Sequence, residues 1–255
     1  MTARETIRYG ELPSQFVEIW RAAGSSSPRG VVIALHGGWW RDRHDLHLMD
    51  PICAHLHRSG WTVANVEYRR TGDDSGGWPV TMNDVEDAIA AIGAAELEPD
   101  GLPTVAIGHS AGGHLALMSL AQGLIESAVA LAPITDLARC VREELGESAT
   151  LPFMGSEPDT DPQAYLDASP ISQAAHGHRR LIVHGCQDDR VPIEHSRNYI
   201  RVAMTDDEPV SYLEMINTDH FDVIDPDHAN WQATEAWFDI QHPQAKAKPG
   251  RHQAY

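Results

Sequence analysis

The stretch Thr104-Val105-Ala106-Ile107-Gly108-His109-Ser110-Ala111-Gly112-Gly113-His114-Leu115 joins a short apolar run to a helical pattern through a glycine-flanked serine. Residues 108–112 fit G-x-S-x-G. That pattern recurs by chance in many chains, and the strand before it (104–107) and the helix after it (113–122) make it informative. A serine presented on a sharp strand-to-helix turn needs small neighbours two residues away on each side, because the turn, the strand and the helix crowd together there. The helix start also brings a positive dipole end to the place where an oxyanion would form. Ser110 is therefore the candidate nucleophile. The bland alternative is a glycine-rich turn carrying an incidental serine.

Outward from this turn, strand-length apolar runs alternate with helical patterns. Val31-Val32-Ile33-Ala34-Leu35 is apolar throughout, as expected of a strand buried on both faces. Further strands are read at 61–68, 104–107, 127–131, 181–184 and 210–215, after a short β region at 15–20. Helices are read at 46–58, 83–95, 113–122 and 228–240. This alternation predicts βαβ units and a mostly parallel sheet. The segment 24–30 is a Gly/Ser/Pro turn cluster. Residues 133–178, rich in Pro, Asp, Glu and Ser, break the rhythm and are expected to form a short lid-like insertion over the sheet edge. Residues 1–240 make a single domain, and 241–255 a flexible C-terminal tail.

Two loops at strand ends supply partners for Ser110. His36-Gly37-Gly38-Trp39-Trp40 follows the buried strand 31–35 and so lies on the same rim as the turn. Its glycine pair lets backbone N–H groups face a tetrahedral intermediate, with Gly38, Trp39 and Ala111 as the expected donors. Otherwise it is a plain Gly-Gly turn with two packed tryptophans. Trp39, Trp40 and Trp78 are the expected aromatic walls of a substrate pocket, Trp40 and Trp78 foremost, with core packing as the alternative.

The order Ser, acid, His places the acid after strand 181–184, where Asp188 and Asp189 compete. Asp188 is preferred, and Asp189 is expected to cap the next helix or face solvent. The base is expected after the last strand, where His220 stands in Thr218-Asp219-His220-Phe221-Asp222; His228, on the following helix, is the weaker choice. His109, next to the serine in its turn, points the wrong way for a base, and His36 and His184 read as strand-closing residues. The three cysteines, Cys53, Cys140 and Cys186, read as inert.

Composition bounds the partners. Asp and Glu number 37 against 19 Lys and Arg, a formal net charge of −18 that argues against nucleic acid. Three scattered cysteines offer neither zinc-ligand spacing nor a disulfide framework. The opening MTARETIRYG lacks the apolar core of a signal peptide, and no apolar run approaches the roughly 20 residues that span a bilayer. A cytoplasmic location without a membrane partner is expected, and a homodimer is left open.

With these residues in place, the chain resembles the α/β-hydrolase superfamily from about residue 30 to residue 240. That resemblance implies a three-layer α/β fold around a mostly parallel central sheet, and a serine hydrolase that uses no metal or organic cofactor. Residues 36–40 resemble the H-G-G-x-W signature of kynurenine formamidases (arylformamidases), in which the amides of the second glycine and its neighbour form the oxyanion hole. Residues 108–115 and 219–222 are similar to that family's serine and histidine segments, whereas Asp188 with Val191-Pro192 looks more like prolyl-oligopeptidase-type peptidases and small esterases. The implied reaction is cleavage of a small-molecule amide or ester with a small acyl group, N-formylkynurenine being one candidate substrate. A short-chain carboxylesterase is the alternative, and a non-catalytic receptor on the same fold a more distant one.

Overall fold

The computed structural model describes residues 4–23, 28–97, 101–205 and 208–243. Eight strands form one sheet: β1 (Glu5–Arg8), β2 (Phe16–Trp20), β3 (Val31–Leu35), β4 (Thr62–Val66), β5 (Thr104–His109), β6 (Ser127–Leu131), β7 (Arg179–Gly185) and β8 (Val210–Met215). Their order is β1-β2-β4-β3-β5-β6-β7-β8. The β1–β2 and β2–β4 pairs are antiparallel, and the remaining pairs are parallel.

The side-chain alternation of β3 explains the layering. Val31, Ile33 and Leu35 belong to one core, with Val85 and Ala88 of helix α2 (Val80–Ala94) and Leu115 and Met118 of α3 (Ala111–Ala121). Val32 and Ala34 point the other way, to Ile52 and Leu56 of α1 (Asp50–Arg58) and Trp231, Trp237 and Phe238 of α9 (Asn230–Gln241). A strand covered by helices on both sides has no polar face to offer, hence its unbroken apolar sequence. Helix α8 (Glu194–Thr205) lies on the α3 side, where Tyr199 and Ala203 pack with Leu117 and Ile182.

The expected strands and helices are present with boundaries moved by a few residues. Two details differ. β1 carries no apolar run in the sequence: Glu5-Thr6-Ile7-Arg8 is largely exposed and pairs only with β2, as suits an edge strand. The helix expected at 46–58 is two elements, a 3-10 turn (Leu46–Met49) and then α1, with Pro51 in the first turn of α1 where its missing N–H costs nothing.

The insertion forms five short helical segments: α4 (Leu137–Arg142), α5 (Leu145–Ser148), α6 (Thr150–Met154), α7 (Pro162–Ala168) and a 3-10 turn (Pro170–Gln173). Phe153 stacks on Trp40, and Arg41 and Arg43 bind Glu147, so the insertion covers the loop after β3, a central strand. Within α5, Gly146, Glu147 and Ser148 have left-handed backbone, so this segment is a coil of tight turns rather than a regular helix. Part of the turn cluster (24–27) and the tail from 244 onward lie outside the described residues. No described helix is long and apolar enough to cross a membrane.

Candidate active site

Ser110 connects β5 to α3 with φ 55° and ψ −115°. A non-glycine residue holds such angles only when its surroundings enforce them. Here the Ser110 N–H donates to the Leu131 carbonyl at 2.8 Å, and the Ser110 carbonyl accepts from the His114 N–H at 3.0 Å. A serine at this position ordinarily turns its oxygen onto the first amides of the helix. Ser110 makes no such capping bond. The flanking glycines are required by backbone contact. A Cβ at Gly108 would collide with the carbonyl of Gly112, and one at Gly112 with the carbonyl of Leu35.

The loop after β3 comes within contact of this turn. A Cβ on Gly37 would stand 2.8 Å from Nδ1 of His109 and 3.1 Å from Cβ of Ser110. Gly38, Trp39 and Trp40 all have positive φ (114°, 56° and 54°), so the chain reverses sharply there. Buried polar contacts hold the reversal in place. Nε2 of His36 lies 3.1 Å from Oε1 of Glu67, the Tyr68 hydroxyl donates to the His36 carbonyl at 2.6 Å, and the Thr71 N–H donates to the Trp40 carbonyl at 2.8 Å. Burial alone would raise the Glu67 carboxyl, but the His36 hydrogen bond and the charge of Arg70 outweigh it and hold it low.

Gly38 and Trp39 line the same cavity as Ser110. Ala111 is the first residue of α3, so its N–H is among those no helical carbonyl can take. The three expected oxyanion donors thus gather around Ser110. Of the expected aromatic walls, Trp40 and Trp78 do not. Trp40 is fully buried, stacked on Phe153 at 4.1 Å between ring centroids and edge-on to His114 at 5.2 Å, and it does not line the cavity. Trp78 packs against the same core, near His114. Trp39 is the tryptophan on the cavity wall, its ring edge-on to that of Trp40 at 6.2 Å between centroids.

The acid and the base come from neighbouring strand ends. The turn after β7 and the loop after β8 are stitched together by Cys186 N–H to the Met215 carbonyl (2.8 Å) and Gln187 N–H to the Thr218 carbonyl (3.0 Å). This brings Oδ2 of Asp188 to 2.6 Å from Nδ1 of His220. A carboxylate can only accept, so the proton sits on Nδ1, and Nε2 of His220 is left as an acceptor. The other oxygen, Oδ1, accepts the N–H groups of Arg190 and Val191, each at 2.8 Å. Oδ2 also lies 3.1 Å from Nε2 of His184, whose Nδ1 faces the Ser196 hydroxyl at 2.7 Å. Burial would push the Asp188 carboxyl up. The hydrogen bonds from His184, His220 and Val191 overcome that and hold it well below the usual carboxylate range.

Asp189 is 76% exposed in its side chain and meets only Arg190, at 3.3 Å. It does not cap α8. His228 bonds Asn230, away from the cavity. His109 is buried, and burial lowers its pKa well below the ordinary histidine value; its Nε2 bonds the carbonyl of His220 at 2.9 Å, so it fixes the backbone of the candidate base. His184 closes its strand as expected and also supports the Asp188 carboxylate.

One further brace went unread in the sequence. Oδ1 of Asp219 accepts the N–H groups of Phe221 (2.8 Å) and Asp222 (2.9 Å), while Oδ2 of Asp222 accepts the N–H of Asp219 (2.8 Å). The two aspartates on either side of His220 close a reciprocal turn around it, and their spacing was the available signal.

Ser110 and His220 are 1% and 4% exposed and face a common cavity of about 170 Å³, below the ~300–1,000 Å³ of drug-sized ligand sites.

Comparison with known proteins bears on the fold. The family model described as BD-FAE matches residues 17–127, a stretch that takes in the 36–40 loop and Ser110 and ends before Asp188. A truncated carbohydrate esterase from gut microbiota superposes with a TM-score of 0.82 at 20% identity, over 95% of this chain and 97% of that one. Esterase 2 of Thermogutta terrifontis superposes with a TM-score of 0.75 at 20% identity, over 99% and 96%. The fold is the α/β-hydrolase fold. Esterase B from Lactobacillus Rhamnosis shares this fold with a TM-score of 0.78 at 16% identity, over 95% of this chain and 85% of that one. No curated relative matches the chain.

Proposed function

We propose that the protein is a serine carboxylesterase that cleaves esters with a small acyl group. The observation that carries this reading is the Asp188–His220 contact of 2.6 Å at the cavity in which Ser110 sits on a strained turn. The BD-FAE match and the esterases among the structural neighbours support it.

In this reading the Ser110 hydroxyl attacks the ester carbonyl carbon as Nε2 of His220 takes its proton. The carbonyl oxygen becomes an oxyanion held by the N–H groups of Gly38, Trp39 and Ala111. Asp188 keeps the proton on Nδ1 and stabilises the imidazolium. Collapse of the intermediate expels the alcohol, which takes its proton from Nε2, and leaves an acyl-serine. Water, deprotonated by His220, attacks the acyl carbon, and the acid departs as Ser110 regains its proton. The balance is ester plus water to acid plus alcohol.

The H-G-G-x-W resemblance keeps aryl formamides as a second substrate class, since the same steps would transfer a formyl group to Ser110. Trp40 is in the core, but Trp39 lines the cavity; esters are the better supported class because the family-model match and the structural neighbours are esterases. A panel of p-nitrophenyl esters of rising chain length, run beside N-formylkynurenine, tests the reading by the ratio of kcat/KM values. The acetate or propionate ester should lead. A higher value for N-formylkynurenine would make the protein a formamidase.

A further inference from the structure

The cavity holding Ser110 and His220 is lined by Arg41, Arg43 and Arg190, and by no Asp or Glu among the described residues. The chain carries 37 acidic residues against 19 basic ones, so three arginines on this cavity wall run against the composition of the whole; the carboxylates of Glu144, Glu147 and Asp189 stand beside them in the adjoining cavity, which the same arginines line. Two carboxylates pair with the three guanidiniums. Arg41 and Arg43 share a single carboxylate: Oε2 of Glu147 lies 3.0 Å from Nη1 of Arg41 and 2.8 Å from Nη2 of Arg43. The Arg190 guanidinium meets the exposed Asp189, at 3.3 Å. Arg41 is further fixed by a bond from Nη2 to the Glu147 carbonyl at 2.8 Å, whereas the side chains of Arg43 and Arg190 are 62% and 59% exposed. All three guanidiniums line the cavity, the two exposed ones with part of their surface open to solvent.

We infer that the substrate carries a carboxylate on its leaving group. This rests on the ester reading above. Ser110 and His220 lie deep and the arginines lie outward, so a small acyl group bound at Ser110 leaves the alcohol portion pointing at the guanidiniums. A planar guanidinium matches a carboxylate in shape as well as charge, and a cationic mouth on an anionic protein concentrates anions at the site.

The test compares two esters that differ in one group, 3-acetoxybenzoate and the neutral 3-acetoxybenzamide, at low ionic strength. The expected kcat/KM ratio is at least about tenfold in favour of the carboxylate, and it falls as salt shortens the screening length to about 10 Å or less. In the double variant Arg43→Gln/Arg190→Gln the ratio should approach one; the substitution at Arg190 keeps the backbone N–H that Asp188 uses. A ratio of one or below in the unaltered protein, or a ratio unmoved in the double variant, overturns the inference. Calorimetric titration of the Ser110→Ala protein with 3-hydroxybenzoate and 3-hydroxybenzamide reads the same preference without turnover. Tighter binding of the carboxylate there supports the inference even if neither ester is cleaved, a result that would count against the ester reading alone. Equal binding of the two overturns it.

Discussion

Asp188 stands on the turn after β7 and His220 on the loop after β8, and Oδ2 of the first lies 2.6 Å from Nδ1 of the second. The two strands are parallel neighbours, paired from Arg180 with Val210 to Gly185 with Met215. Their carboxyl ends therefore emerge side by side. Gly185 permits the contact, because a Cβ there would collide with the carbonyl of Thr218.

This pairing separates the two adjacent aspartates. Asp188→Asn should lower kcat by roughly 10⁴, because an amide facing His220 favours the wrong imidazole tautomer. Asp189→Asn should change it little, given its exposed side chain. Steady-state kinetics of both variants on one ester checks this, and a reversed order would assign the orienting role to Asp189.

The same carboxylate predicts how stability responds to acid. Its pKa is depressed in the folded protein, so its contribution is present above the unfolded value of about 3.9 and is lost as the pH falls below it. Melting temperatures from pH 6 to pH 3 should fall less steeply below about pH 4 in Asp188→Asn than in the unaltered protein. Parallel curves would mean that Asp188 is not held low.

Two glycine substitutions test the account of the turn. Gly112→Ala drives a Cβ into the Leu35 carbonyl and should strongly destabilise the fold or prevent it. Gly93→Ala, in α2 with open space around the site, should stabilise by about 0.5–1 kcal/mol. Chemical denaturation of both variants gives the comparison, and equal effects would show that crowding at Gly112 is relieved elsewhere.

The adjacent tryptophans should behave differently. Trp40→Ala removes a fully buried ring stacked on Phe153 and should cost about 3–5 kcal/mol of stability. Trp39→Ala alters the cavity wall and should raise KM with a smaller drop in melting temperature. Thermal melts and KM values for the pair decide the matter. A larger stability loss at Trp39 would reverse their assignments.

What could be read from the sequence was what backbone geometry imposes on residue type. Gly108 and Gly112 are legible because carbonyl groups occupy the space their side chains would need, and β3 is legible because both its faces are covered. Asp188 and His220 are legible by their places at strand ends. Depth of burial within a reversed turn leaves no such trace: Trp39 and Trp40 both have positive φ and touch edge-on, yet Trp39 lines the cavity and Trp40 is buried on Phe153, so Trp40 read as a wall. The seat of the insertion depends on Phe153 and Glu147 meeting residues more than a hundred positions away, and no local pattern encodes that. Arg41, Arg43 and Arg190 were passed over for the same reason, since they converge only in the folded chain.

The most direct test of the central claim, that Ser110 is an activated nucleophile, is labelling with a fluorophosphonate followed by mass mapping of the modified peptide. The account predicts one label per chain on Ser110, lost in Ser110→Ala together with all but a residual fraction of ester turnover. Labelling at another serine, absence of label in the folded protein, or more than about a hundredth of the activity in Ser110→Ala, against the ~10⁶-fold cost of removing such a nucleophile in a serine protease, would contradict it.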